Sequence, residues 1–214
     1  MVMPLMLLLT VLALLLALAA IYWLVKHPRI AVVVCVLTFG AAVVGFRSFK
    51  SWERQLQLSY VPQSMGVSRV LYENEKSWGF GPGGNETGVI VYELPDVVAI
   101  GLKNSGTAYL TNLPGNSGDS HDWHGRYEKW QETPIPPEPD WTYKGSERRA
   151  GPTTPPPKLA NYLDKYGFGI AIDSAIEREI NEAISRPGNY FAYGRIGVLI
   201  LIPDARKAVY AYNG

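Results

Sequence analysis

From Leu5 to Val25 the chain reads LMLLLTVLALLLALAAIYWLV, 21 residues without a charge. As a helix rising about 1.5 Å per residue, this run crosses a hydrocarbon layer of about 30 Å. After "KHPR" a second uncharged run, Ile30 to Phe46, adds 17 residues rich in β-branched side chains, at the short limit for a span. Read together, the two predict a transmembrane helical hairpin over residues 1–46, with spans at 5–25 and 30–46. Ala17-Leu18-Ala19 also offers a small-x-small cleavage pattern, but the leader "MVMPL" lacks the Lys or Arg of a signal peptide's n-region. A buried core element is the alternative for the second run, and the basic residues on both its flanks argue against it. Ala41 and Gly45 form a small-xxx-small pair of the kind that lets membrane helices approach closely.

Charge near the span ends sets the expected orientation. Lys26 and Arg29 lie between the runs, and Arg47, Lys50 and Arg54 follow the second. By three to two the positive-inside rule leans toward both termini in the cytoplasm. The expectation is an integral protein of a bacterial inner (plasma) membrane, its main partner the lipid bilayer. The single cysteine, Cys35, sits in the second run, so the soluble part has no thiol for a disulfide.

From Arg47 onward 18 basic residues face 19 acidic ones. A near-neutral domain with no basic run lacks the electrostatic footprint of a nucleic-acid binder, and nucleic acid is set aside as a partner. Residues 47–62 mix Phe49 and Trp52 with Arg47, Lys50 and Arg54, and read as a juxtamembrane linker, either seated in the membrane interface or a plain helix continuing the second span.

Residues 63–214 predict a soluble α+β domain, an antiparallel sheet of about five strands with two or three helices over one face. "SRVLYENE" and "GVIVYELP" read as paired strands, and "DVVAIGLKNSG" as a short helix after Pro95. "PKLANYLDKYGFG" reads as a helix stopped by Gly167, and Ser174 with Glu177 as a capping box opening another. The C-terminal runs around "VLILI" form a meander, with VLILI central and the alternation of Val209 and Ala211 against Tyr210 and Tyr212 suiting a last strand with one covered face. Between them, residues 115–157 make an irregular excursion rich in proline and tryptophan. Its aromatic content argues for order rather than for a disordered linker.

Two stretches invite chemistry. "SWGFGPGGNETG", Ser77 to Gly88, holds five glycines but opens into a strand rather than a helix, and no GK[ST] follows. Both the P-loop and the dinucleotide fingerprint therefore fail. The loop reads as a glycine-rich hairpin connection in which Trp78, Phe80 and Asn85 are candidate binding residues; Asn85-Glu86-Thr87 also matches a glycosylation acceptor. "DSHDWHG" puts four potential metal ligands, Asp119, His121, Asp122 and His124, within six residues. A surface polar loop is the plainer reading. No nucleophile elbow or triad spacing occurs, and no cofactor motif is present.

Taken together, the sequence points to a non-enzymatic membrane protein that binds another protein or the envelope. Trp123, Trp130 and Trp141 join Trp78, Phe80 and Asn85 as candidate contacts, since exposed Trp and Tyr favour interfaces. Two rivals stand beside it. One is a membrane-tethered hydrolase using the 119–132 loop with Glu128 or Glu132; the other is an accessory structural subunit of a larger membrane assembly.

Overall fold

In the computed structural model, which describes residues 22–23, 26–77, 86–114, 124–145 and 155–213, one long helix, α1, occupies Pro28–Ser59. Its apolar part has a mean hydropathy of 2.3 and none of that window is buried, so α1 is long and apolar enough to cross a membrane. Of the two readings of residues 47–62, the helix has the form of a continuation of the second predicted span, up to Ser59. Nothing between Arg47 and Ser59 breaks a helix: the stretch has no Gly or Pro, and Lys50 pairs with Glu53 one turn on at 2.7 Å. The helix ends where Pro62 disfavours helical backbone in the residue before it. Among the described residues α1 is the single candidate span, rather than a clear two-helix hairpin. The first predicted arm lies outside them, apart from Tyr22 and Trp23, which are helical.

The chain divides into two units, one up to Arg54 and one from Gln55 to Gly214. The second is α+β, built on one antiparallel sheet. Its strands are β1 (Val70–Ser77), β2 (Glu86–Glu93), β3 (Gln131–Glu132), β4 (Tyr190–Tyr193), β5 (Val198–Ile202) and β6 (Lys207–Asn213), in the order β1-β2-β6-β5-β4-β3. There are thus six strands where about five were expected. The addition, β3, is two residues long and comes from the excursion, so no strand-length pattern announces it.

The helices lie on both faces of the sheet, which corrects the expected single layer. On one face Val89, Val91, Val198, Ile200, Val209 and Ala211 meet α4 (Pro139–Thr142), α5 (Leu159–Leu163) and α6 (Ser174–Ser185) through Trp141, Leu159, Leu163, Ile180 and Ile184. On the other, Ile90, Tyr92, Leu199, Leu201, Tyr210 and Tyr212 meet a 3-10 turn (Gln63–Met65), α2 (Asp96–Ser105) and α3 (Thr107–Thr111) through Met65, Val98, Leu102 and Leu110. VLILI is central as expected, buried at every position. Strand β6 is covered on both sides as well, where one covered face was expected: Tyr210 and Tyr212 are 2% and 5% exposed and Val209 and Ala211 are buried.

A β-bulge between Val70 and Tyr72 changes which face β1 presents. Residues two apart normally share a face, yet Val70 packs with the second cluster and Tyr72 with the first. Tyr72 then accepts from Asp173 N at 3.2 Å, and Asn74 donates to Ala171 O at 2.6 Å, which ties the segment before α6 to the sheet edge. The cap of α6 is Asp173, whose Oδ1 accepts from Ala175 N at 2.9 Å and Ile176 N at 3.2 Å; Ser174, read as the cap, is the first helical residue.

The described part of the excursion is tied by backbone bonds to the end of α6 and to the residue before β4. Thr133 N donates to Asn189 O and Ile135 N to Ile184 O, both at 2.9 Å, and Ile135 is buried.

Candidate functional site

The face of the sheet that carries α2 and α3 is floored by tyrosines. Tyr60 stacks on Tyr210 with ring centroids 4.6 Å apart and an interplanar angle of 13°, and Tyr210 lies 5.2 Å from Tyr212. The hydroxyls are committed inward: Tyr92 donates to Gln57 O at 2.7 Å, Tyr210 to Ile196 O and Tyr212 to Glu75. Tyr127, arriving from the excursion, donates to Tyr60 O at 2.8 Å. Burial pushes the Tyr127 hydroxyl well above its ordinary range, so it remains a neutral donor near pH 7. Its ring then meets Trp130 at 5.6 Å, tilted 47°, within the range of favourable aromatic pairs.

Between this aromatic pair and the helices lies a cavity of about 270 Å³. Met65, Leu110, Leu113, Tyr127 and Trp130 supply apolar wall, and Arg126 and Glu128 bring one charge of each sign. Three segments far apart in sequence converge here. The 3-10 turn closes on Gly66, whose φ of +64° suits the left-handed cap; α3 leads into Leu113; and the strap 125–130 runs back over both. Ser64 also lines the cavity, and its Oγ is buried with no hydrogen-bond partner among the described residues. A buried hydroxyl without a partner is uncommon and costs stability until something meets it.

The sequence-selected residues are distributed as follows. Trp130 is half-buried in the cavity wall. Trp141 is on the opposite face of the sheet, 0% exposed, stacked on Tyr162 at 4.5 Å and donating Nε1–H to the Tyr193 hydroxyl at 2.7 Å. It is a core residue and offers no surface to a partner, because its ring packs in the cluster between the sheet and α5. Trp78, Phe80, Asn85, Trp123, Asp119, His121 and Asp122 lie outside the described residues. His124 rests against Tyr60, ring centroids 5.4 Å apart. Glu132 accepts from Gly188 N at 2.9 Å at the corner between β3 and β4, while Glu128 is exposed beside the cavity. Among the described residues no three His, Cys, Asp or Glu side chains are gathered to hold a metal ion.

Ser64, Met65, Leu110 and Leu113 carry no sequence signal as site residues. They belong to a linker end, a short turn and a short helix, and only the fold brings them together.

Comparison with known proteins gives no match: no family model, no curated protein and no solved structure is similar to this chain.

Proposed function

We propose that this chain is a membrane-anchored binding protein, whose α+β domain docks another protein at the cavity beside Trp130. The observation that carries the anchor is α1, an unburied helix with a mean hydropathy of 2.3 over its apolar part. A soluble domain would bury such a helix, because about 25 cal/mol is recovered for each Å² of apolar surface removed from water. The hairpin belongs to this reading, with 5–25 as its other arm and the soluble domain on the cytoplasmic side of a bacterial inner membrane, as the Lys and Arg count favours. The docking half is supported by the cavity: an aromatic pair and apolar side chains at the wall, with one charge of each sign beside them, are the features on which partners anchor.

The test uses the intact chain in its native membrane. Alkaline carbonate should leave it in the pellet. A photo-crosslinking amino acid in place of Glu128, exposed beside the cavity, should give one discrete adduct, and the same probe in place of Arg178, exposed on α6, should not. Release of the intact chain by carbonate overturns the anchor. Equal labelling from the two positions overturns the docking site, and migration of the solubilised adduct-free protein in one large assembly would assign it instead to a structural subunit.

A further inference from the structure

On the other side of the strap 125–131 lies a groove of about 370 Å³, lined by Arg126, Lys129 and Arg195 with Glu128, Tyr193 and Gly194. It shares Arg126 and Glu128 with the apolar cavity, so the two sites adjoin across a few residues of extended chain. Three cations face one carboxylate in the groove. Lys129 and Arg195 are exposed and have no ion-pair partner among the described residues. Elsewhere in the domain Lys103, Lys165, Arg206 and Lys207 pair with Asp204, Asp140, Asp96 and Glu179, all at 2.6–2.7 Å. Lys129 and Arg195 thus leave positive charge unpaired among the described residues beside the apolar cavity.

We infer that the cavity and the groove together receive one acidic peptide segment of a partner protein, a bulky apolar side chain seated against Trp130 and the carboxylates on Lys129 and Arg195. The inference rests on the protein-binding reading above and names the chemistry of its partner. The apolar cavity and the basic groove adjoin, so an apolar side chain with neighbouring carboxylates complements both in polarity and charge. The exposed cations set preference and association rate more than total affinity, as rim charges do, and the apolar anchor supplies the rest.

The test takes the full chain in phosphatidylcholine nanodiscs with two fluorescein-labelled peptides, Gly-Trp-Glu-Glu and Gly-Trp-Lys-Lys, read by polarisation. The acidic peptide should bind about tenfold more tightly at low salt, and the gap should close at high salt as the exposed charges are screened. The double variant Lys129→Glu with Arg195→Glu changes only exposed side chains and should reverse the preference. Trp130→Ala should weaken both peptides about tenfold, the loss of a shared anchor. Equal affinity for the two peptides, or a preference untouched by the double variant, overturns the inference. If the Glu128 probe still gives its single adduct in that case, protein docking stands and only the acidic assignment falls; if the adduct is missing too, both fall. Displacement of the acidic peptide by phosphatidylglycerol nanodiscs, but not by phosphatidylcholine ones, would put an anionic lipid surface in the partner's place and overturn the inference.

Discussion

Trp141 donates its indole Nε1–H to the hydroxyl of Tyr193 at 2.7 Å, across 52 residues of sequence, and this bond fixes the described end of the proline-rich excursion to strand β4. The indole is 0% exposed, whereas Tyr193 keeps 40% of its surface in water. Burial and the neighbouring carboxylates Glu138 and Asp140 push the Tyr193 hydroxyl up to about 12, although the Trp141 bond acts the other way. It is a neutral acceptor throughout the physiological range.

Tyr193→Phe should therefore leave a buried indole N–H without a partner, at a cost of about 1–3 kcal/mol. Trp141→Ala should cost more, about 3–5 kcal/mol, since it also empties a core site against Tyr162. Urea unfolding of the single and double variants checks both. A double variant that is simply additive would show that the bond does not couple the pair.

At the start of α6 the bonds separate two adjacent residues. Asp173→Ala removes the acceptor of Ala175 N and Ile176 N and should destabilise the domain by about 1 kcal/mol. Ser174→Ala should be close to neutral, because Ser174 is exposed and already inside the helix. Thermal melts that reverse this order would restore Ser174 as the cap.

The turn between β4 and β5 depends on Gly197, with φ of +106° and Gly194 N donating to its carbonyl at 2.9 Å. A Cβ there would lie 2.5 Å from Ala211 O, a backbone atom of the neighbouring strand β6. Gly197→Ala should destabilise by about 2 kcal/mol or more, combining steric clash with a conformation that L side chains rarely adopt. Chemical denaturation with β-sheet circular dichroism reads the outcome, and an unchanged midpoint would contradict the register of β5 and β6.

Glu86, where β2 begins, has its carboxyl raised, first by burial and then by the charge of Glu75. A carboxyl raised in the folded state keeps its proton there longer than in the unfolded chain. Its unfavourable contribution is absent below the unfolded value and complete above the folded one, so stability from this group falls as pH rises through that window. Glu86→Gln should accordingly raise the unfolding midpoint at neutral pH and have little effect in acid below the ordinary Glu range. A variant that is stabilised equally at both pH values would place the cause elsewhere.

Much of the α+β pattern is legible locally. VLILI declares a strand buried on both faces, the Gly194–Gly197 and Pro203-Asp204 stretches declare the turns around it, and Ile30–Phe46 declares an apolar run that lies within α1. These features rest on the composition and period of neighbouring residues, which the chain carries before it folds. The continuity of α1 through residue 59 was equally available, since it follows from the absence of Gly and Pro after Phe46.

Trp130 and Trp141 show where that reach stops. Both are tryptophans in one irregular, proline-flanked stretch, and nothing in their surroundings says that one lines a cavity while the other fills the core on the opposite side of the sheet. The outcome turns on two-residue β3, too short for any period to reveal, and on which face each segment crosses. Local order and strand identity follow from short-range sterics and patterning; the covering of both sheet faces and the meeting of Ser64, Leu110 and Trp130 follow from long-range packing, which the tertiary structure alone decides.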